Sequence, residues 1–89
     1  DLEELIPGFL ENRNKDIELL DKAVAAGDFQ SLQSIGHTLK GVGGGYGFDR
    51  MSEIGAAIEN AGKDADLDAA RGQVDALRDY LARIDVVFE

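Results

Sequence analysis

The chain contains no cysteine. Disulfides and thiolate metal sites are therefore excluded, which fits a reducing compartment. No apolar run approaches the roughly 18 residues that a membrane span needs. No signal-peptide pattern opens the sequence, and the expectation is a cytoplasmic domain away from membranes. Basic residues are scarce: 9 Lys and Arg stand against 18 Asp and Glu, for a net charge of −9. Such a surface repels nucleic-acid phosphates and anionic lipid, which argues against both as partners. The sequence has one histidine, His37. With no second histidine and no cysteine, a transition-metal site lacks a ligand set. The strand and Gly-Lys-Ser/Thr ending of a phosphate-cradling loop are also missing, so no nucleotide site is expected.

What is present suits one small helical domain. The 89 residues are 44% hydrophobic and 30% charged. That length allows one domain, and a domain of this size buries only a little over about 60% of its unfolded surface, so its packing must be simple and local. Apolar spacing predicts four helices, at about 6–26, 28–45, 49–62 and 67–88, and no strand. Pro7 suits the first turn of the first helix, where its missing N–H costs nothing. Phe9, Arg13, Ile17, Leu20 and Val24 mark that helix's inner face, with Arg13 as a snorkelling edge residue. Gly27 ends it, and Asp28 caps the second helix. Asp49 is expected to cap the third, whose stripe is Met51, Ile54, Ile58 and Ala61. Leu67, Ala70, Val74, Leu77, Leu81, Ile84 and Phe88 alternate three and four apart on the fourth. The predicted fold is an all-α, antiparallel up-down four-helix bundle. The alternative use of that last stripe is a dimer seam; the monomer is preferred because three other helices need an apolar partner.

His37 is expected on the wet side of the second helix. At about 100° per residue, Leu32, Ile35, Leu39, Val42 and Tyr46 fall roughly 140° to 220° away from it and form the core stripe. Lys40, one turn on, can offset negative charge held at His37, or can be an ordinary solvated lysine. Gly41 and Gly44 lie within about 40° of His37 and clear space for a bulky group or another protein's active site. Gly36 and Gly43 face sideways and suit close helix packing. Each interior glycine costs roughly 1 kcal/mol relative to alanine, so their density asks for a reason. Imidazole has an ordinary pKa near about 6.5, and its neutral ring nitrogen can accept and release a phosphoryl group. Glu59, roughly 100° from the centre of its helix's stripe, can accept a hydrogen bond from one ring nitrogen and fix the tautomer, or can be an exposed helix glutamate. The alternation Asp64, Asp66, Asp68 superficially matches a calcium loop. Ala69 stands where such a loop needs glycine and Asp75 where it needs glutamate, so helix capping explains these aspartates better.

The run His37-Thr38-Leu39-Lys40-Gly41, with Gly47 after it and the following helix Met51-Ser52-Glu53-Ile54-Gly55-Ala56-Ala57-Ile58-Glu59, resembles the histidine-containing phosphotransfer (HPt) domain of multistep two-component phosphorelays. The resemblance covers essentially the whole chain in helix number and order. It implies a four-helix bundle whose exposed histidine takes a phosphoryl group from a receiver-domain aspartate and hands it to another receiver. Carried over by residue, His37 is the phosphoacceptor, Lys40 neutralises the phosphoryl group and Gly41 leaves room for it. The family often has serine or another small residue just after that glycine. Val42 and Gly43 stand here, so a hydroxyl contact is absent. Some members carry glutamine at the third-helix position facing the histidine; Glu59 keeps the acceptor without the amide donor. Lys63, one turn after Glu59, adds a second candidate cation.

The role so implied is a phosphoryl carrier and not an enzyme with its own ATP site. It needs no resident cofactor, because the partner receiver supplies Mg²⁺. Its expected partners are response-regulator receiver domains and a sensor histidine kinase. Two other readings stand beside it: the phosphoacceptor domain of a larger histidine kinase, and a helical interaction module in which His37 is incidental.

Overall fold

A computed structural model describes residues 2–87, and within them the side chains of residues 8, 9 and 11–83. Four helices follow one another: α1 (Leu2–Ala26), α2 (Phe29–Tyr46), α3 (Asp49–Lys63) and α4 (Leu67–Val87). Each packs on the next, and α4 returns to α1, so the four close into a bundle. The described helices contain no stretch long and apolar enough to cross a membrane.

Joints of two or three residues force each helix to reverse on the one before. Gly27 adopts a left-handed φ of 66° and ends α1. The Asp28 carboxylate then accepts from the Ser31 amide at 3.1 Å and from the Ser31 hydroxyl at 2.6 Å. Those two bonds, the hydroxyl's first, hold the Asp28 carboxyl below its usual range. Gly47, at φ 78°, closes α2, and the Phe48 amide donates back to the Gly43 carbonyl at 2.7 Å. Asp66 caps α4 by accepting from the Ala69 amide at 3.1 Å.

Several expectations need correction. α1 starts at Leu2, not near residue 6, so Pro7 stands beyond the first turn and its missing N–H forgoes a helical bond. α2 spans Phe29–Tyr46, the stretch its apolar stripe marks, within a residue of the expected bounds. Asp49 is the first residue of α3 and not its cap; Phe48 holds the cap position without a side-chain bond. Asp49 still places a negative charge at the positive end of the helix dipole. Arg13 is more than a snorkelling edge: its Nε donates to Asp16 at 2.8 Å, and its guanidinium lies 5.3 Å from the Phe9 ring centre. The expected placement of Ile84 and Phe88 in the stripe lies outside the described side chains.

The core is assembled from all four helices. Phe9, Ile17, Leu20 and Val24 meet Leu32, Leu39, Met51, Ile54, Ile58, Ala70, Val74, Leu77 and Leu81, all buried. The described part of the α4 stripe is thus consumed inside the bundle.

The intimate contact is α2 on α3, and glycines create it. A Cβ on Gly36 would stand 2.5 Å from the Glu59 backbone nitrogen, and one on Gly43 2.5 Å from that of Ser52. A Cβ on Gly62 would stand 2.8 Å from the Phe29 carbonyl oxygen, and one on Gly55 would strike the Lys40 backbone nitrogen. Two glycines seven apart on each helix therefore let the backbones touch. This contact turns α2 about its axis relative to the sequence expectation. Gly36 and Gly43 are buried, Ile35 and Val42 only partly so, and Tyr46, expected in the core, is 49% exposed. A helix turns its closest-packed side inward, and glycine, blank in a hydrophobicity pattern, is where the partner comes closest. Tyr46 instead packs its ring on Phe9, with centroids 5.0 Å apart.

Gly72 is the opposite case. It lies in α4, exposed, with nothing within 4 Å of where a Cβ would stand. Gly72→Ala should stabilise the domain by about 1 kcal/mol through helix propensity alone. In a domain of this size that raises Tm by about 4–8 °C, read by thermal circular dichroism. An unchanged or lower Tm would mean that Gly72 has a packing role its open surroundings do not reveal.

Candidate functional site

α2 carries His37 on the side away from the core, and its side chain is 75% exposed. α3 brings Glu59 alongside: Oε2 of Glu59 lies 3.2 Å from Nδ1 of His37, and the Glu59 side chain is only 15% exposed. An ionised carboxylate can only accept, so the contact makes Nδ1 the donor. The lone pair is then on Nε2, at the open end of the ring.

Lys63, one turn beyond Glu59 on α3, places Nζ 3.9 Å from the same Oε2. Glu59 Oε2 thus lies between the His37 ring and the Lys63 ammonium. Lys40, one turn after His37, is exposed and has no carboxylate within ion-pair distance among the described residues. Its ammonium is uncommitted and can meet an incoming anion.

The glycines divide into two sets. Gly41 and Gly44 are exposed, and a Cβ at either would meet nothing within 4 Å. Packing within the domain does not require glycine there, and the space beside His37 is open. Gly36, Gly43, Gly55 and Gly62 are buried in the helix contact. The sequence reading gave Gly55 and Gly62 no packing role. Their seven-residue spacing, repeated from Gly36 and Gly43, was the available signal. That reading likewise gave no role to Ser52, whose hydroxyl donates to the Lys40 carbonyl at 3.0 Å and ties α3 to α2 beneath the site.

Electrostatics favour an approach along α2. None of the chain's 18 acidic residues lies in α2, whose one formal charge besides the titratable His37 is Lys40. In a domain of charge −9, the helix that carries the histidine thus has no carboxylate of its own, and the one at His37 comes from Glu59 of α3. Beside α2, Leu19 of α1 is 50% exposed and borders a shallow groove with Lys22, Ser31 and Ile35. Among the described residues, no three His, Asp or Glu side chains converge as a metal site would require.

A hydrogen-bonded, exposed imidazole with its lone pair outward, a free ammonium and cleared space can carry an anionic group. No curated protein and no solved structure matches the chain significantly. A family model described as "Hpt domain" matches residues 4–86.

Proposed function

The chain belongs to the Hpt domain family, and on that premise we propose that His37 is the residue that takes a phosphoryl group from a receiver-domain aspartate and passes it to another receiver. Hpt domains are phosphocarriers of two-component signalling that work with receiver domains. The observation that carries the residue assignment is the His37–Glu59 contact, which engages Nδ1 and leaves Nε2 free and exposed.

The transfer balances with the groups in hand. The Nε2 lone pair attacks phosphorus of the receiver's aspartyl phosphate and forms a P–N bond. The P–O bond breaks, and its electron pair leaves with the aspartate as a carboxylate. The ring, still protonated on Nδ1, becomes a phosphorylated imidazolium facing the Glu59 carboxylate. The phosphoryl oxygens face the side from which Lys40 reaches. Donation to a second receiver runs the same steps backward. Such transfer asks for in-line placement and charge neutralisation more than for covalent machinery on the carrier. The receiver brings Mg²⁺. Its acidic pocket settles on α2, which has no carboxylate of its own, and reaches across to Leu19 on α1.

The test is chemical loading followed by transfer. Phosphoramidate-treated domain should show an acid-labile N-phosphate by ³¹P NMR and lose it rapidly to one or more Mg²⁺-loaded receivers in a panel. Stable label against every receiver would remove the relay role. Absence of any label would return the domain to a plain interaction module.

Two substitutions probe the neighbours of His37. Lys40→Ala should slow transfer roughly tenfold, the scale of one charge-assisted bond, with circular dichroism unchanged. An unchanged rate would take Lys40 out of the site. Gly41→Leu should improve helix propensity yet block docking sterically, so that helicity holds and receiver transfer fails. Normal transfer in that variant would show that the cleared space is not used.

A further inference from the structure

Gly36 directly precedes His37, and the α3 backbone lies directly against α2 at this point. The site of its missing Cβ is 2.5 Å from the Glu59 nitrogen, 2.8 Å from the Gly55 carbonyl oxygen and 3.0 Å from the Glu59 Cα. The backbone of Glu59 thus rests on the backbone of the residue next to His37. The contact between the two side chains, at 3.2 Å, is at the long end of the range for an N–H···O bond. It has no slack. Ordinary van der Waals separation would require the backbones to part by about an ångström if Gly36 carried a methyl group, and that movement would take Oε2 out of reach of Nδ1.

From this geometry we infer that Gly36 is a positioning residue. By admitting the Glu59 backbone against its own Cα, it sets the reach of the Glu59 carboxylate to Nδ1 and so directs the reactive lone pair to Nε2. The inference deepens the phosphoacceptor reading and rests on it for its functional meaning. A free histidine side chain in water favours the proton on Nε2, so the natural preference opposes what the site requires. A backbone contact is a firm way to reverse it, because a covered glutamate has little room to swing.

Gly43 supplies a matched control. Its Cβ would meet the Ser52 nitrogen at the same 2.5 Å, on the same helix pair, seven residues from Gly36 and away from Glu59. The experiment uses the full chain with ¹⁵N-labelled histidine, at a pH where the ring is neutral, in the Gly72→Ala background to help both variants fold. Gly36→Ala should move the ring proton from Nδ1 toward Nε2, read from the two nitrogen shifts, and slow phosphoramidate labelling about tenfold. Gly43→Ala should lower Tm comparably and leave the ring proton on Nδ1. In a Glu59→Ala background, Gly36→Ala should add no further shift, because its effect passes through Glu59.

Unchanged nitrogen shifts in folded Gly36→Ala, equal shifts in Gly43→Ala, or additive effects with Glu59→Ala would each overturn the inference. Should Gly36→Ala not fold even in that background, Glu59→Asp draws the carboxylate back by one methylene with Gly36 intact. Wild-type nitrogen shifts there would overturn the inference equally. A wild-type domain that takes no label at all would sink the phosphoacceptor reading instead, while the ring-proton comparison would still judge Gly36.

Discussion

His37→Gln is expected to abolish the acid-labile phosphate while leaving the far-ultraviolet spectrum of the bundle unchanged. Glutamine keeps a polar group of similar reach at this position. Its amide nitrogen has no available lone pair, because resonance with the carbonyl withdraws it, so nothing replaces Nε2 as nucleophile. The structural cost is small because the His37 side chain is 75% exposed and makes one hydrogen bond, to Glu59. Glutamine is also the better helix former, by a few tenths of a kcal/mol at most. The measurement is ³¹P NMR after phosphoramidate treatment, with circular dichroism on the same sample. Stoichiometric label retained in the variant would move the phosphoacceptor elsewhere in the chain. Lost label with partner affinity intact is the result that separates a carrier histidine from a docking surface: the bundle still binds, and the chemistry is gone.

Gly55→Leu is expected to cost more than about 3 kcal/mol, at or above the usual range for overpacking a core. The reason is what the new side chain would meet. Its Cβ alone would strike the Lys40 backbone nitrogen and crowd the Gly36 carbonyl oxygen and the Leu39 carbonyl carbon. Backbone in mid-helix cannot swing aside as a side-chain tip does, so α2 and α3 must separate. Marginal stability of about 5–15 kcal/mol is typical of a folded domain, and a loss of this size removes a large share of a small one's margin. Urea unfolding followed by circular dichroism reads the effect. The same substitution at Gly41, on the open side of α2, should leave the urea midpoint near wild type or above it. A Gly55→Leu protein as stable as wild type would mean that the backbones of α2 and α3 do not touch in solution. The contrast between these two glycines, fourteen residues apart and alike in sequence terms, rests wholly on what lies over each.

The legible features were local ones. The helix number and order, the αL glycine ending α1, the Asp28 cap and the exposed side of His37 follow from spacing and from residues within a few positions of one another. The His37 face was readable because core residues on the same helix fix, by 3.6-residue geometry, which side is left over. Where a local signal competed with packing, packing won. Asp49 was a reasonable cap by type, but the turn at Gly47 put Phe48 in that position instead. Tyr46 belonged to the apolar stripe by angle, and the approach of α3 to Gly36 and Gly43 rotated that stripe until Tyr46 was half exposed.

The sequence by itself determined an all-helical chain of four amphipathic segments, one exposed imidazole with a lysine a turn away, and a carboxylate-free second helix in an acidic domain. Periodicity, capping and charge are properties of neighbours in the chain, and they need no fold to be counted. Tertiary structure alone decided that Glu59, 22 residues from His37, would meet its Nδ1, that Lys63 would share the same oxygen, and that four glycines would bring two backbones into contact beneath the site. A glycine records only that a side chain is absent. Whether solvent, another protein or a neighbouring backbone occupies the space is set by the packing of the helices, and here that packing places open glycines beside His37 and closed ones beneath it.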